Sequence, residues 1–152
     1  MVRRWLCPAL LMCLFLLPTE ALAQRSLGQT LYVPCYSHIY HGPRNRTLDL
    51  TVTLSIRNID QRLPLTLTVV DYYDTDGRLI RHELDEPRIL APLMTLEFMV
   101  HQRDSAGGSG ANFIVVWKAD TPVNAPVVET VMISTESSLG VSFTSPARVI
   151  EE

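Results

Sequence analysis

Three carboxylates fall within the six residues Asp71-Tyr72-Tyr73-Asp74-Thr75-Asp76, and Gly77 follows them directly. Calcium takes several hard oxygen ligands from a loop that turns sharply, so carboxylates at alternate positions ahead of a glycine suit it. With Gly77 at the sixth position of such a loop, Asp74 and Asp76 fall at the third and fifth. Leu79 then takes the usual apolar position and Glu83 the twelfth. The first position is Tyr72, where a carboxylate is required, and Asp71 stands one residue out of register. The same residues also make a plain β-hairpin turn, because Gly supplies a positive φ and Asp caps the turn. The missing first ligand favours the turn. A weak calcium site on Asp71, Asp74, Asp76 and Glu83, structural or regulatory in role, is the alternative.

Cys35, His38 and His41 have ligand types suited to zinc or copper. In a strand, spacings of three put His38 on the opposite face from the other two, so only a loop beginning near Ser37 would gather them. Closed sites need four ligands, and His82 or His101 would have to arrive from elsewhere in the chain. Tyr32, Tyr36 and Tyr40 interleave with these residues, which suits packing and surface binding better than a metal cage.

Gly107-Gly108-Ser109-Gly110-Ala111-Asn112 is a third candidate, with His101 and Asp104 upstream as partners for a nucleophilic Ser109. A nucleophile elbow needs a helix after the serine. A strand follows here, and Ala111 replaces the final glycine. Phosphate cradling lacks the same helix N-terminus. A mobile hairpin loop is the expectation, and a Ser109 hydrolase is the weakest reading. Asn45-Arg46-Thr47 matches a glycosylation acceptor, a pattern that arises often by chance.

The chain begins with a secretory leader. Arg3 and Arg4 form the positive region, Trp5 to Leu17 the apolar run, and Ala21-Leu22-Ala23 the small-x-small cleavage site before Gln24. The run is short of the ~20 residues that span a bilayer, and no second one follows, so no transmembrane anchor is expected after cleavage. The product is expected in the periplasm or outside the cell, by the general secretory or the twin-arginine route. Removing 23 of the 152 residues leaves a single domain of 129, over residues 24–152. That domain retains 11 of the 13 basic and 15 of the 16 acidic residues, a net charge of −4. Ten of the 11 basic residues are arginines spread along the chain, with Lys118 the single lysine, which argues against nucleic acid. Cys7 and Cys13 leave with the leader, and Cys35 is then without an intrachain partner. Burial is its expected fate, with interchain pairing or a metal as alternatives.

The remainder alternates with period two. Leu50-Val52-Leu54-Ile56, Leu65-Leu67-Val69 and Met94-Leu96-Phe98-Val100 each read as half-buried strands. Phe113 to Trp117 is apolar on both faces, as for a central strand covered on both sides. Thr30–Tyr36, Leu79–Leu84, Val127–Ile133 and Val141–Phe143 complete the set, and no window carries a helical stripe. Pro87 and Pro92 bracket an extended crossing, and Pro122 and Pro126 separate the last large strands. About eight short strands at this spacing predict an all-β fold, an antiparallel two-sheet β-sandwich, immunoglobulin-like or related.

Several strings resemble a known bacterial family. They are Tyr32-Val33-Pro34, Tyr36-Ser37-His38-Ile39-Tyr40, Thr53-Leu54-Ser55-Ile56-Arg57-Asn58, Asp71 through Gly77, Gly107 through Phe113, and Gly140-Val141-Ser142-Phe143. Together they resemble the exported family catalogued as domain of unknown function 3124, over nearly all of the mature chain. That resemblance implies membership and no activity.

No constellation combines a nucleophile, a base and an electrophile stabiliser at usable spacing. The expectation is therefore a non-catalytic binding or interaction module without a cofactor, calcium being the one alternative. Its partner would be a protein or a small ligand of the exported compartment. Candidate contacts are Tyr36, His38, Tyr40 and Arg44 in one region, Tyr72 in a second, and Ser109 and Asn112 in a third. Loops of a sandwich cluster at its ends, so some of these are placed to converge.

Overall fold

The structure is a computed structural model and describes residues 25–135 and 140–152. The leader expected over residues 1–23 lies outside the described residues. Within them the chain is all-β, with antiparallel pairing throughout and one 3-10 turn at Gly108–Gly110. None of their helical segments is long and apolar enough to cross a membrane.

The larger sheet holds β1 (Arg25–Pro34), β5 (Leu65–Tyr73), β6 (Leu79–His82), β7 (Arg88–Leu90), β9 (Asn112–Asn124) and β12 (Arg148–Glu151). Its order is β12-β1-β9-β5-β6, and β7 pairs with the first part of β5. A four-stranded sheet, order β11-β10-β4-β8, joins β11 (Val141–Pro146), β10 (Val127–Ser134), β4 (Thr51–Arg57) and β8 (Thr95–Val100). A separate hairpin pairs β2 (His38–His41) with β3 (Arg46–Asp49).

Alternation builds the sandwich. Leu31 and Val33 of β1, Phe113, Val115 and Trp117 of β9, and Leu67, Val70 and Tyr72 of β5 turn inward. They share one buried cluster with Val52, Leu54 and Ile56 of β4 and Val128 and Met132 of β10. Each large apolar side chain buried this way contributes about 1.5–3 kcal/mol before the entropy of ordering it. A polar strut crosses between the sheets, where the Thr130 hydroxyl donates to the Pro34 carbonyl at 2.6 Å.

All eight expected strands are present, and four short ones, β2, β3, β7 and β12, are additional. Two expectations are corrected. Ile114 and Val116 of β9 are half-exposed, because no element covers the outer face of the larger sheet among the described residues. The central strand is thus sheltered on one face only. Pro122 does not end a strand, since β9 runs on to Asn124. Gly28 pairs with Lys118 and Ser26 with Val123, so residues 119–122 bulge opposite Leu27, where a missing N–H breaks no ladder bond.

One end of the sandwich is closed by polar side chains. Asn58 donates to the carbonyls of Leu63 and Leu90 at 3.0 and 3.1 Å. Asp60 accepts from the backbone N–H groups of Arg62, Leu63 and Asn124 and pairs with Arg25 at 3.6 Å. The suspected contact residues lie at the opposite end.

Candidate binding surface at one end of the sandwich

The turn between β5 and β6 is held by its own hydrogen bonds. Asp74 accepts from the backbone N–H groups of Asp76 and Arg78 at 2.9 and 2.8 Å, and the Gly77 N–H donates to the Asp74 carbonyl at 3.0 Å. Gly77 sits at φ 76°, which an L side chain adopts only with strain. The four carboxylates of the calcium reading do not converge. Asp71 binds His82 at 2.7 Å, and Asp76 faces Arg78 at 3.3 Å in solvent. Glu83 binds Arg81 at 2.7 Å, and Arg81 lies opposite Tyr72, on the other face of the hairpin from Asp71. Among the described residues, no group of three or more His, Cys, Asp or Glu side chains is placed to hold a metal.

Three distant stretches of chain meet beside this turn. The Thr75 N–H and hydroxyl both donate to the Gly107 carbonyl, at 3.0 and 2.9 Å, and the Gly110 N–H donates back to that hydroxyl at 2.9 Å. The Ser37 N–H donates to the Gly108 carbonyl at 2.9 Å, and the Cys35 N–H to that of Ala111 at 3.0 Å. The glycine-rich loop, expected as a mobile hairpin tip, is therefore held by backbone bonds to two neighbours. Its first glycine is required, because a Cβ on Gly107 would overlap the Tyr72 hydroxyl and stand 2.7 Å from Ala111 Cβ.

Beneath the loop, Tyr72 is wholly buried and stacks on Phe113 with centroids 4.9 Å apart. Its hydroxyl is 3.1 Å from that of Ser37. Tyr72, expected as a ligand contact, is placed in the core instead: the register shift between Leu67 and Val69 turns Val70 and Tyr72 inward. Its neighbour Tyr73 is the one that faces out. The Arg81 guanidinium lies 4.8 Å over the Tyr72 ring and binds Asp104 at 2.7 Å, tying β6 to the turn after β8. Burial pushes the Tyr72 phenol up to about 12 and the Cys35 thiol likewise to about 12. Cys35 is fully buried, as expected, and stays a thiol at neutral pH.

The remaining candidates divide between packing and surface. Tyr36 packs on Phe143 of β11, centroids 6.0 Å apart, and is partly core. His38 and Tyr40 meet edge to face at 5.2 Å on the solvent side of the β2–β3 hairpin, where Tyr40 is 59% exposed. Cys35 is interior and His38 faces out, so the Cys35–His38–His41 set does not gather. Arg44 occupies the hairpin tip with φ 72°, next to Asn45 at 49°. Ser109 is half-exposed in the 3-10 turn. No hydrogen bond links it to His101 or Asp104 among the described residues, and the Asp104 carboxylate is taken by Arg81 and the Ala106 N–H.

Asn112 opens β9 in register with Pro34 on one side and Tyr73 on the other. The next outward row is Tyr32, Ile114, Asp71 and His82. Tyr73 and the Asp71–His82 pair are surface groups that sequence reasoning missed as contacts. Neither their outward parity nor their alignment could be read from alternation, because the register shift between Leu67 and Val69 moves the inward side from Leu65 and Leu67 to Val70 and Tyr72. Nothing local points to Thr75 or Arg81.

A family model described as "Protein of unknown function (DUF3124)" matches residues 28–150. No curated protein matches the chain. Among solved structures, "Crystal Structure of Thermotoga maritima 1070" is similar at 12% identity, covering 81% of this chain and 95% of that one, with a TM-score of 0.48.

Proposed function

We propose, for a chain that belongs to the family of proteins of unknown function DUF3124, an exported, non-catalytic module that binds a protein or small ligand. Export rests on the leader, from Arg3 to the cleavage site at Ala23. Binding rests on one observation: the Ser37, Thr75 and Gly107–Gly110 segments are bonded into one preorganised end, with His38, Tyr40, Ser109 and Asn112 set around it. Ordering loops before a partner arrives lowers the entropic cost of association. An aromatic with a polar tip, such as Tyr40, brings contact area at little conformational cost.

The non-catalytic part rests on occupied chemistry. The Asp104 carboxylate is paired with Arg81, the Ser37 hydroxyl with that of Tyr72, and Cys35 is buried and protonated. Using any of them as acid, base or nucleophile would first break the packing of this end.

Site-specific photo-cross-linking in the producing cells tests the proposal. Benzoylphenylalanine at Tyr40 or Ser109 should give a discrete adduct. The same group at Ile59, 42% exposed at the opposite end, should give none. Equal adducts at all three positions, or none at any, would overturn it.

A further inference from the structure

Strand β8 ends the four-stranded sheet, so among the described residues one side of its backbone has no strand partner. The larger sheet is notched directly across from it. β5 pairs with β7 through Leu65–Leu67 and with β6 through Asp71–Tyr73; the Glu83 N–H still donates to the Val70 carbonyl at 2.8 Å, and residues 84–87 belong to neither strand. Here the two sheets do not close on each other. They leave an open groove of about 560 Å³ along the seam.

The groove is lined by both apolar and charged side chains. Leu84, Pro87 and Ile89 line it with Phe98 of β8, and Asp85 and Glu86 line it beside them. Ile89 is 66% exposed. Glu83 also lines the groove but is bound to Arg81. The lining thus carries three carboxylates against the single guanidinium of Arg88. Asp85, Glu86 and Arg88 make no ion pair among the described residues.

An unpaired strand edge recognises extended backbone, because its N–H and C=O groups take a further strand by main-chain bonding. Alternate side chains of that strand then point to opposite faces, so one set enters the seam. We infer that the β8 edge and the adjoining groove receive an extended, basic segment of a partner protein, its lysine or arginine side chains paired with Asp85 and Glu86. The apolar side chains of that segment cover Ile89 and Phe98. The inference deepens the binding-module reading by naming a partner class, but its surface lies along the seam, apart from the Tyr40–Ser109 end.

The test uses full-length mature protein and a labelled nine-residue peptide alternating lysine and valine, read by fluorescence anisotropy. Saturable binding is expected, weakened at least tenfold in the Asp85→Asn/Glu86→Gln variant. A charge-matched control, Asp120→Asn/Glu151→Gln, should bind as the unaltered protein does. Proline at the centre of the peptide should abolish binding, because it removes a ladder donor. All these substitutions lie on exposed side chains, and circular dichroism checks that each variant is folded. The inference is overturned if the peptide does not saturate, if a glutamate–valine peptide binds equally, or if both double variants lose affinity alike. None of those outcomes bears on cross-linking at Tyr40, so the two readings fail separately.

Discussion

The hydroxyls of Ser37 and Tyr72 stand 3.1 Å apart inside the protein, although 35 residues separate them in the chain. Ser37 is where β1 leaves the larger sheet for the β2–β3 hairpin, and its own N–H and carbonyl are bonded to Gly108 and Leu50. The contact therefore fixes the point from which the hairpin projects. Removing one partner leaves the other buried and unsatisfied, which costs about 1–3 kcal/mol. Tyr72→Phe should lower stability by that amount in urea unfolding. Adding Ser37→Ala should cost little more, because the orphaned hydroxyl is then gone. Strictly additive losses would show that the two hydroxyls do not interact.

Gly107→Ala should be destabilising by about 1–3 kcal/mol, the usual cost of overpacking a well-filled site. The added methyl would overlap the Tyr72 hydroxyl. Tyr72→Phe in the same chain removes that oxygen, so part of the loss should return. A double-mutant cycle on unfolding midpoints checks this, with a favourable coupling between the two substitutions as the expected sign.

Much of the fold is legible in the sequence because period-two alternation reports strands locally. Leu50 to Ile56 and Phe113 to Trp117 could be placed from their own residues. β2, β3, β7 and β12 could not, since strands of three or four residues depend on a neighbour to pair with. Gly77 announced its turn, and Cys35 its burial. Tyr72 was misplaced for a different reason: its string reads as a loop, and only the pairing of β5 with β9 shows that Tyr72 points in and Tyr73 out. The meeting of Thr75, Gly107 and Ser37 is non-local, and no spacing along the chain encodes it.

Acid should loosen the other end through Asp60. Backbone N–H donors from Arg62 and Asn124 lead in holding its carboxyl below the usual carboxylate range, and Arg25 adds to them. A carboxylate with a depressed folded pKa stabilises above its unfolded value, about 3.9, and that contribution disappears as pH falls through the folded value. Denaturant unfolding between about pH 6 and pH 2 should show this decline. Asp60→Asn should be less stable than the native chain near neutrality and should flatten the acid limb. An acid limb unchanged in Asp60→Asn would assign the decline to other carboxylates.

Calcium should leave the Asp74–Gly77 turn unmoved. Asp74 already caps two peptide N–H groups, Asp71 is bound to His82, and Glu83 is bound to Arg81 on the opposite face. Gathering these carboxylates around an ion would require breaking those bonds and twisting the hairpin. Thermal unfolding of chelator-stripped protein should therefore give the same midpoint with and without ~1 mM calcium. A site with Kd near 10⁻⁴ M would instead add about 1.4 kcal/mol by mass action, a rise of about 3–6 °C. Asp74→Ala should cost about 1 kcal/mol through the lost cap, equally in both conditions. Asp76→Ala should be close to neutral, since its partner Arg78 is a solvent-exposed surface charge. A calcium-dependent rise that Asp76→Ala abolishes would make the acidic turn a metal site after all, with the hairpin rearranging to build it.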